Sequence, residues 1–173
     1  AQLELLASQL GSDVPFCIGG GSQYCFGRGE LLEPFEFFES SWAVILVKDP
    51  LVSVSTPWAY SLCKERLGID YLQSELDFEK RRQHLRDSFC LSAKTIINKQ
   101  EVSLRNDLQR VVAPATPAVK RSLKALSEMP GSLAYGMSGS GPSCFALYSD
   151  FSEAKRSLEQ FRKTFDSLGL SSW

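Results

Sequence analysis

A single histidine, His84, is all the imidazole that 173 residues offer. It sits in a polar stretch without a matching ligand set, so no metal centre is expected. Strong charge of either sign is also missing: the net charge is −1. No field of that size selects nucleic acid or an anionic membrane, and neither is expected as a partner. The five cysteines (Cys17, Cys25, Cys63, Cys90, Cys144) are odd in number and show no C-x-x-C spacing. Free thiols in a reducing compartment are therefore expected, with a cytoplasmic location, rather than disulfides or zinc. Long apolar runs are lacking too. The longest, Trp42 to Val47, falls far short of the ~20 residues of a membrane helix. There is no Gly-Lys-Ser or Gly-Lys-Thr loop and no G-x-G-x-x-G, which excludes a Walker A site and a dinucleotide fingerprint. No internal repeat or low-complexity segment occurs.

What remains is ordinary globular composition, 43% apolar and 23% charged. Leu3, Leu6 and Leu10 recur at helical spacing, which predicts a helix over 2–10 ending at Gly11. Pro15 is expected to hold Val14 extended. Residues 16–32 read as a hairpin with Gly19-Gly20-Gly21 at or near its turn. Trp42 to Val47 reads as a buried strand. Thr56-Pro57 predicts a helix start, with Thr56 as N-cap and Pro57 in the first helical position. Residues 70–112 read as two or three helices. Thr116-Pro117 opens another, with Val119, Leu123 and Leu126 on one face. Residues 133–137 and 143–148 are two strands around a glycine-rich loop. Residues 152–168 carry the stripe Ala154, Leu158, Phe161, Phe165, Leu168, and Gly169 ends it. Interleaved strands and helices make the class α+β or α/β, of which α+β is the one expected.

Two segments carry chemistry. In Leu10-Gly11-Ser12-Asp13-Val14-Pro15-Phe16 the carboxylate of Asp13 has two readings. It caps a turn, or it receives a substrate hydroxyl proton. In Gly136-Met137-Ser138-Gly139-Ser140-Gly141-Pro142-Ser143 the glycines and hydroxyls make either an anion-binding nest or a plain turn. Lys48-Asp49-Pro50 reads as a strand exit, Lys80-Arg81-Arg82 as a solvated helix face, and Asn106-Asp107-Leu108 as a local cap.

Leu10 to Cys17 followed by Gly27-Arg28-Gly29-Glu30 resembles the GHMP kinase superfamily. The loop from Gly136 to Leu147 looks like its third motif. Val54-Ser55-Thr56-Pro57-Trp58-Ala59-Tyr60 fits as well, as does Asn106-Asp107-Leu108 ahead of Val111-Val112. The likeness is to the branch acting on a cytidine-diphosphate-linked methylerythritol, and the Ser55 to Tyr60 run resembles its cyanobacterial members.

The resemblance implies a small-molecule kinase. It would move the γ-phosphate of ATP, with Mg²⁺, to a hydroxyl of that substrate, in the non-mevalonate route to isoprenoid precursors. Asp13 would be the catalytic base. Thr56, Pro57 and Tyr60 would line the substrate site, with Tyr60 stacked on the cytosine. Gly139, Ser140, Gly141 and Ser143 would support the phosphate loop. Asp13 and Ser140 would face a common cleft. The fold implied is a ferredoxin-like sheet with helices, the C-terminal GHMP kinase domain at 41–173, and the end of the N-terminal kinase domain at 1–40.

This chain departs from the pattern in three places. It shows no catalytic lysine, no Pro-x-x-x-Gly-Leu-Gly-Gly-Gly-Ser loop ahead of Asp13, and no closing strand after Trp173. Little kinase activity is therefore expected of these 173 residues alone. Two alternatives stand beside this reading. One is another GHMP kinase, of homoserine or mevalonate type. The other is a non-catalytic α+β binding module.

Overall fold

Alternation along one strand organises the larger part of the molecule. In β3 (Ala43–Lys48), Ile45 and Val47 are 2% and 0% exposed, while Val44 and Leu46 are 50% and 44% exposed. A strand points successive side chains to opposite faces, so one face of its sheet is core and the other open. The computed structural model describes residues 2–35, 42–71, 74–88 and 102–173 in full, and residues 89–97 as backbone. The expected domain boundary at residues 40 and 41 lies outside the described residues. The chain forms two compact units. One comprises Ala1–Glu39 with Gln73–Ala93, the other Ser40–Leu72 with Lys94–Trp173.

In the second unit, β3 pairs antiparallel with β5 (Cys144–Tyr148) and β6 (Ser171–Ser172), and β5 with β4 (Ala134–Met137). The order is β4-β5-β3-β6. A strand, a helical crossover, two strands, a helix and a last strand make the split βαβ, or ferredoxin-like, arrangement. The expected strands on either side of the glycine loop are β4 and β5.

Helices α6 (Pro117–Ser127) and α7 (Phe151–Ser167) pack on the core face. Val119, Leu126, Ala154 and Phe165 join Ile45, Val47, Cys144, Ala146 and Tyr148 there. The Asp150 side chain caps α7 by accepting from the Glu153 N–H at 2.9 Å. Helices α3 (Thr56–Leu67) and α5 (Asp107–Ala115) pack together through Ala59, Cys63, Val111 and Val112 in the same core.

Asp49 does more than end a strand. It is 9% exposed, accepts from the Leu51 N–H at 3.0 Å, and holds Arg121 of α6 at 3.1 Å. Among the described residues no helix is long and apolar enough to cross a membrane.

The first unit contains α1 (Gln2–Ser8), α2 (Val14–Gly19), the hairpin β1 (Gln23–Phe26) and β2 (Leu31–Pro34), and most of α4 (Glu75–Ile97). Two expectations fail here. Val14 is not extended, because Pro15 sits in the first turn of α2, where a missing N–H costs the helix nothing, and is fully buried. Gly19-Gly20-Gly21 is not the hairpin turn. It ends α2, with the Gly20 N–H donating to Phe16 O at 2.8 Å. The hairpin turns at Gly27–Glu30, directly after the Phe26↔Leu31 pair.

The basic run on α4 is not wholly solvated either. Arg82 and Arg86 lie 4.6 and 5.2 Å from the centre of the Phe26 ring. Arg86 also grips Glu33 with two bonds of 3.1 and 2.7 Å, which holds the Glu33 carboxyl below its usual range.

Candidate functional site

Between β4 and β5 the chain must reverse within six residues, Ser138 to Ser143. Two backbone bonds shape the reversal: Ser138 N–H to Ser143 O and Gly141 N–H to Ser138 O, both 2.9 Å. Gly139 has φ +54°, and a Cβ there would meet nothing within 4 Å. Backbone conformation, not crowding, asks for glycine at this position. Among the described residues the N–H groups of Gly139 and Ser140 meet no acceptor. Donors left over in such a loop favour an anion.

Two helix N-termini adjoin the loop. From α3, the Thr56 hydroxyl lies 2.9 Å from that of Ser140. From α5, the Asn106 side-chain nitrogen donates to Met137 O and Gly139 O, each at 2.9 Å. The starts of both helices thus hold the loop through side-chain contacts. Gln109, one turn into α5, accepts from the Met137 N–H at 2.7 Å. Next to Asn106, Asp107 is bound by Arg105 through two bonds of 3.0 Å, with Arg110 at 3.6 Å. The Arg105 bonds chiefly hold the Asp107 carboxyl below its ordinary range.

Thr56 is not the cap of α3. Ser55 has the extended backbone of a cap (φ −71°, ψ 118°), and its hydroxyl accepts from the Trp58 N–H at 3.4 Å. Thr56 is the first helical residue, and its hydroxyl is thereby free to reach Ser140. Pro57 follows in the first turn and is exposed. Tyr60 lies one turn further along the same face of α3, 62% exposed. The second unit thus gathers Thr56, Pro57 and Tyr60 with the loop of Gly139, Ser140, Gly141 and Ser143.

Asp13 belongs to the first unit. It is the residue before α2, yet its side chain makes no capping bond and it is exposed. Its backbone is helical there (φ −90°, ψ −12°), not the extended form of a side-chain cap. The turn of the hairpin comes up against it. A Cβ on Gly29 (φ +118°) would stand 3.4 Å from Ser12 O and 3.8 Å from Asp13 Oδ1. Burial, and then the Asp13 charge, push the Cys25 thiol upward. Asp13 is a carboxylate without a capping duty, overlooked by a glycine turn and a thiol.

Sequence reasoning misses Gln109. Asn106 and Gly29 enter it only within the resembling segments, Asn106 also as a local cap.

Residues 92–167 match the family "GHMP kinases C terminal", so the chain carries a GHMP kinase C-terminal domain. Its particular relatives are 4-diphosphocytidyl-2-C-methyl-D-erythritol kinases. That of Prochlorococcus marinus (strain MIT 9303) is 56% identical over 172 residues, covering 99% of this chain and 53% of the relative. That of Synechococcus sp. (strain CC9902) is 51% identical over 171 residues, covering 99% and 55%. The chain spans about half the length of the curated relatives it matches. A crystal structure of 4-(cytidine 5'-diphospho)-2C-methyl-D-erythritol kinase shares the fold, with TM-score 0.69 and 23% identity over 99% of this chain and 55% of that one.

Proposed function

We propose that this chain serves an ATP-dependent kinase that phosphorylates a hydroxyl of 4-diphosphocytidyl-2-C-methyl-D-erythritol in the cytoplasm, in the non-mevalonate route to isoprenoid precursors. Residues 1–40 supply the end of its N-terminal domain and residues 41–173 its C-terminal domain. The observation that carries the reading is the 2.9 Å contact of Thr56 and Ser140, which joins the substrate segment to the glycine loop. The names of the relatives support the choice of substrate.

In this reading the Asp13 carboxylate accepts the proton of the attacking hydroxyl. A weak base suffices, because phosphoryl transfer passes through a loose transition state and needs mostly positioning. The Gly139 and Ser140 amides, with the hydroxyls of Ser140 and Ser143, face phosphate oxygens. Thr56 and Pro57 border the nucleoside, and Tyr60 offers an exposed ring for the cytosine to stack on. Mg²⁺ would accompany ATP as a charge screen. Among the described residues no three His, Cys, Asp or Glu side chains gather as a ligand set for it.

The test is ADP release by the intact protein with this substrate, with homoserine and with mevalonate. The cytidine compound should be the preferred acceptor, and Asp13→Asn should lower kcat about a hundredfold or more. Preference for homoserine or mevalonate would move the protein to another branch. Absence of both turnover and nucleotide binding would favour a non-catalytic module.

A further inference from the structure

We propose that Asn106 is a positioning residue for the reaction proposed above, on which this inference rests. Its carboxamide holds the glycine loop in the shape that leaves the Gly139 and Ser140 amides open to phosphate. A carboxamide has two N–H donors and an oxygen with two lone pairs, and here all four are used. The oxygen accepts from the Leu108 and Gln109 N–H groups at 3.0 and 3.2 Å, capping α5. The nitrogen donates to Met137 O and Gly139 O, each at 2.9 Å.

A cap alone needs only the oxygen, and Ser or Asp would serve as well. Gln109 of α5 already holds the Met137 N–H, and the Asn106 nitrogen extends the tie to the Gly139 carbonyl within the loop. It also sets direction. The Gly139–Ser140 peptide is planar and trans, so its C=O and N–H point oppositely. Anchoring the Gly139 carbonyl on Asn106 turns the Ser140 N–H away from α5. Among the described residues that N–H has no acceptor, so it is left for a ligand. Aspartate at this position would set its oxygens against two carbonyl oxygens and release the loop.

Asn106→Asp and Asn106→Ser keep the cap and lose the anchor, whereas Asn106→Ala loses both. In the intact protein, the Asp and Ser variants should melt within about 3 °C of wild type. Exchange of the bonded Ser138 and Gly141 amides should quicken about tenfold or more. For the same two variants, kcat/KM for ATP should fall about tenfold or more, with the KM of the phosphoryl acceptor unchanged within about twofold. Wild-type loop exchange and wild-type ATP kinetics in both variants would reduce Asn106 to a cap and overturn the proposal. So would a parallel loss of melting temperature and of every kinetic constant. If the wild-type protein turned over no ATP, the kinase reading would fall. Faster loop exchange in the Asp variant would still establish the anchor.

Discussion

Asp13 shows what a single side chain gains from its surroundings. It stands at the start of a helix without capping it, and beside it lies the turn at Gly29, whose φ of +118° asks for glycine. Its charge reaches Cys25, whose thiol is raised by burial first and by Asp13 second. Asp13→Asn should therefore lower the Cys25 thiol pKa part of the way towards its ordinary value. Alkylation rates followed against pH, with Cys25 resolved from Cys17 by peptide mass, measure it. An unmoved titration would remove Asp13 from the vicinity of that thiol. Cys144, pushed up to about 12 by burial, supplies an unreactive internal reference.

At the scale of elements, the structure shifts duties between neighbouring residues. Ser55 takes the cap of α3 and frees the Thr56 hydroxyl, while the triple glycine closes a helix and leaves the hairpin turn to Gly27–Glu30. Amphipathic helices behave as their spacing predicts, because burying one face suffices to hold them. Leu126 of α6 is 0% exposed beneath the sheet, whereas Leu46 on the open face of β3 is 44% exposed. Leu126→Ala should cost about 2–5 kcal/mol by urea unfolding. Leu46→Ala should cost only roughly 1 kcal/mol, since nearly half of Leu46 already meets water. Equal costs would mean that the open face is covered in solution.

For the whole molecule, carboxylates held by partners tie stability to pH. Arg86 lowers the Glu33 pKa in the first unit. In the second, Arg105 lowers that of Asp107, and the helix-cap N–H of Glu153 lowers that of Asp150. A depressed folded pKa gives stability that is complete above the unfolded value, 4.5 for Glu and 3.8 for Asp. That stability is lost as pH falls through the lower folded values. The urea midpoint should hold from neutrality down to about pH 5 and decline steadily below it. A midpoint independent of pH down to about pH 2 would show that these pairs add nothing to the fold.

The sequence by itself determined the kinase family, the α+β class, the helices begun by Thr56-Pro57 and Thr116-Pro117, and the long striped helix near the C-terminal end. Each of these is written in a local pattern, whether a period, a cap, a proline or an ordered set of motifs. The same reading offered Asp13 and the glycine loop as candidate parts of a site, and the family resemblance added Tyr60. Only the tertiary structure decided which of these parts meet. Thr56 and Ser140 touch across 84 residues, and Asn106 reaches Gly139 across 33. The sheet order that brings their segments together leaves no period in the chain, because strand pairing is a property of the collapsed whole. Asn106 looked like a cap in the sequence because its oxygen is one. Its second duty lay in the nitrogen, whose partners exist only once β4 and its loop fold back beside α5.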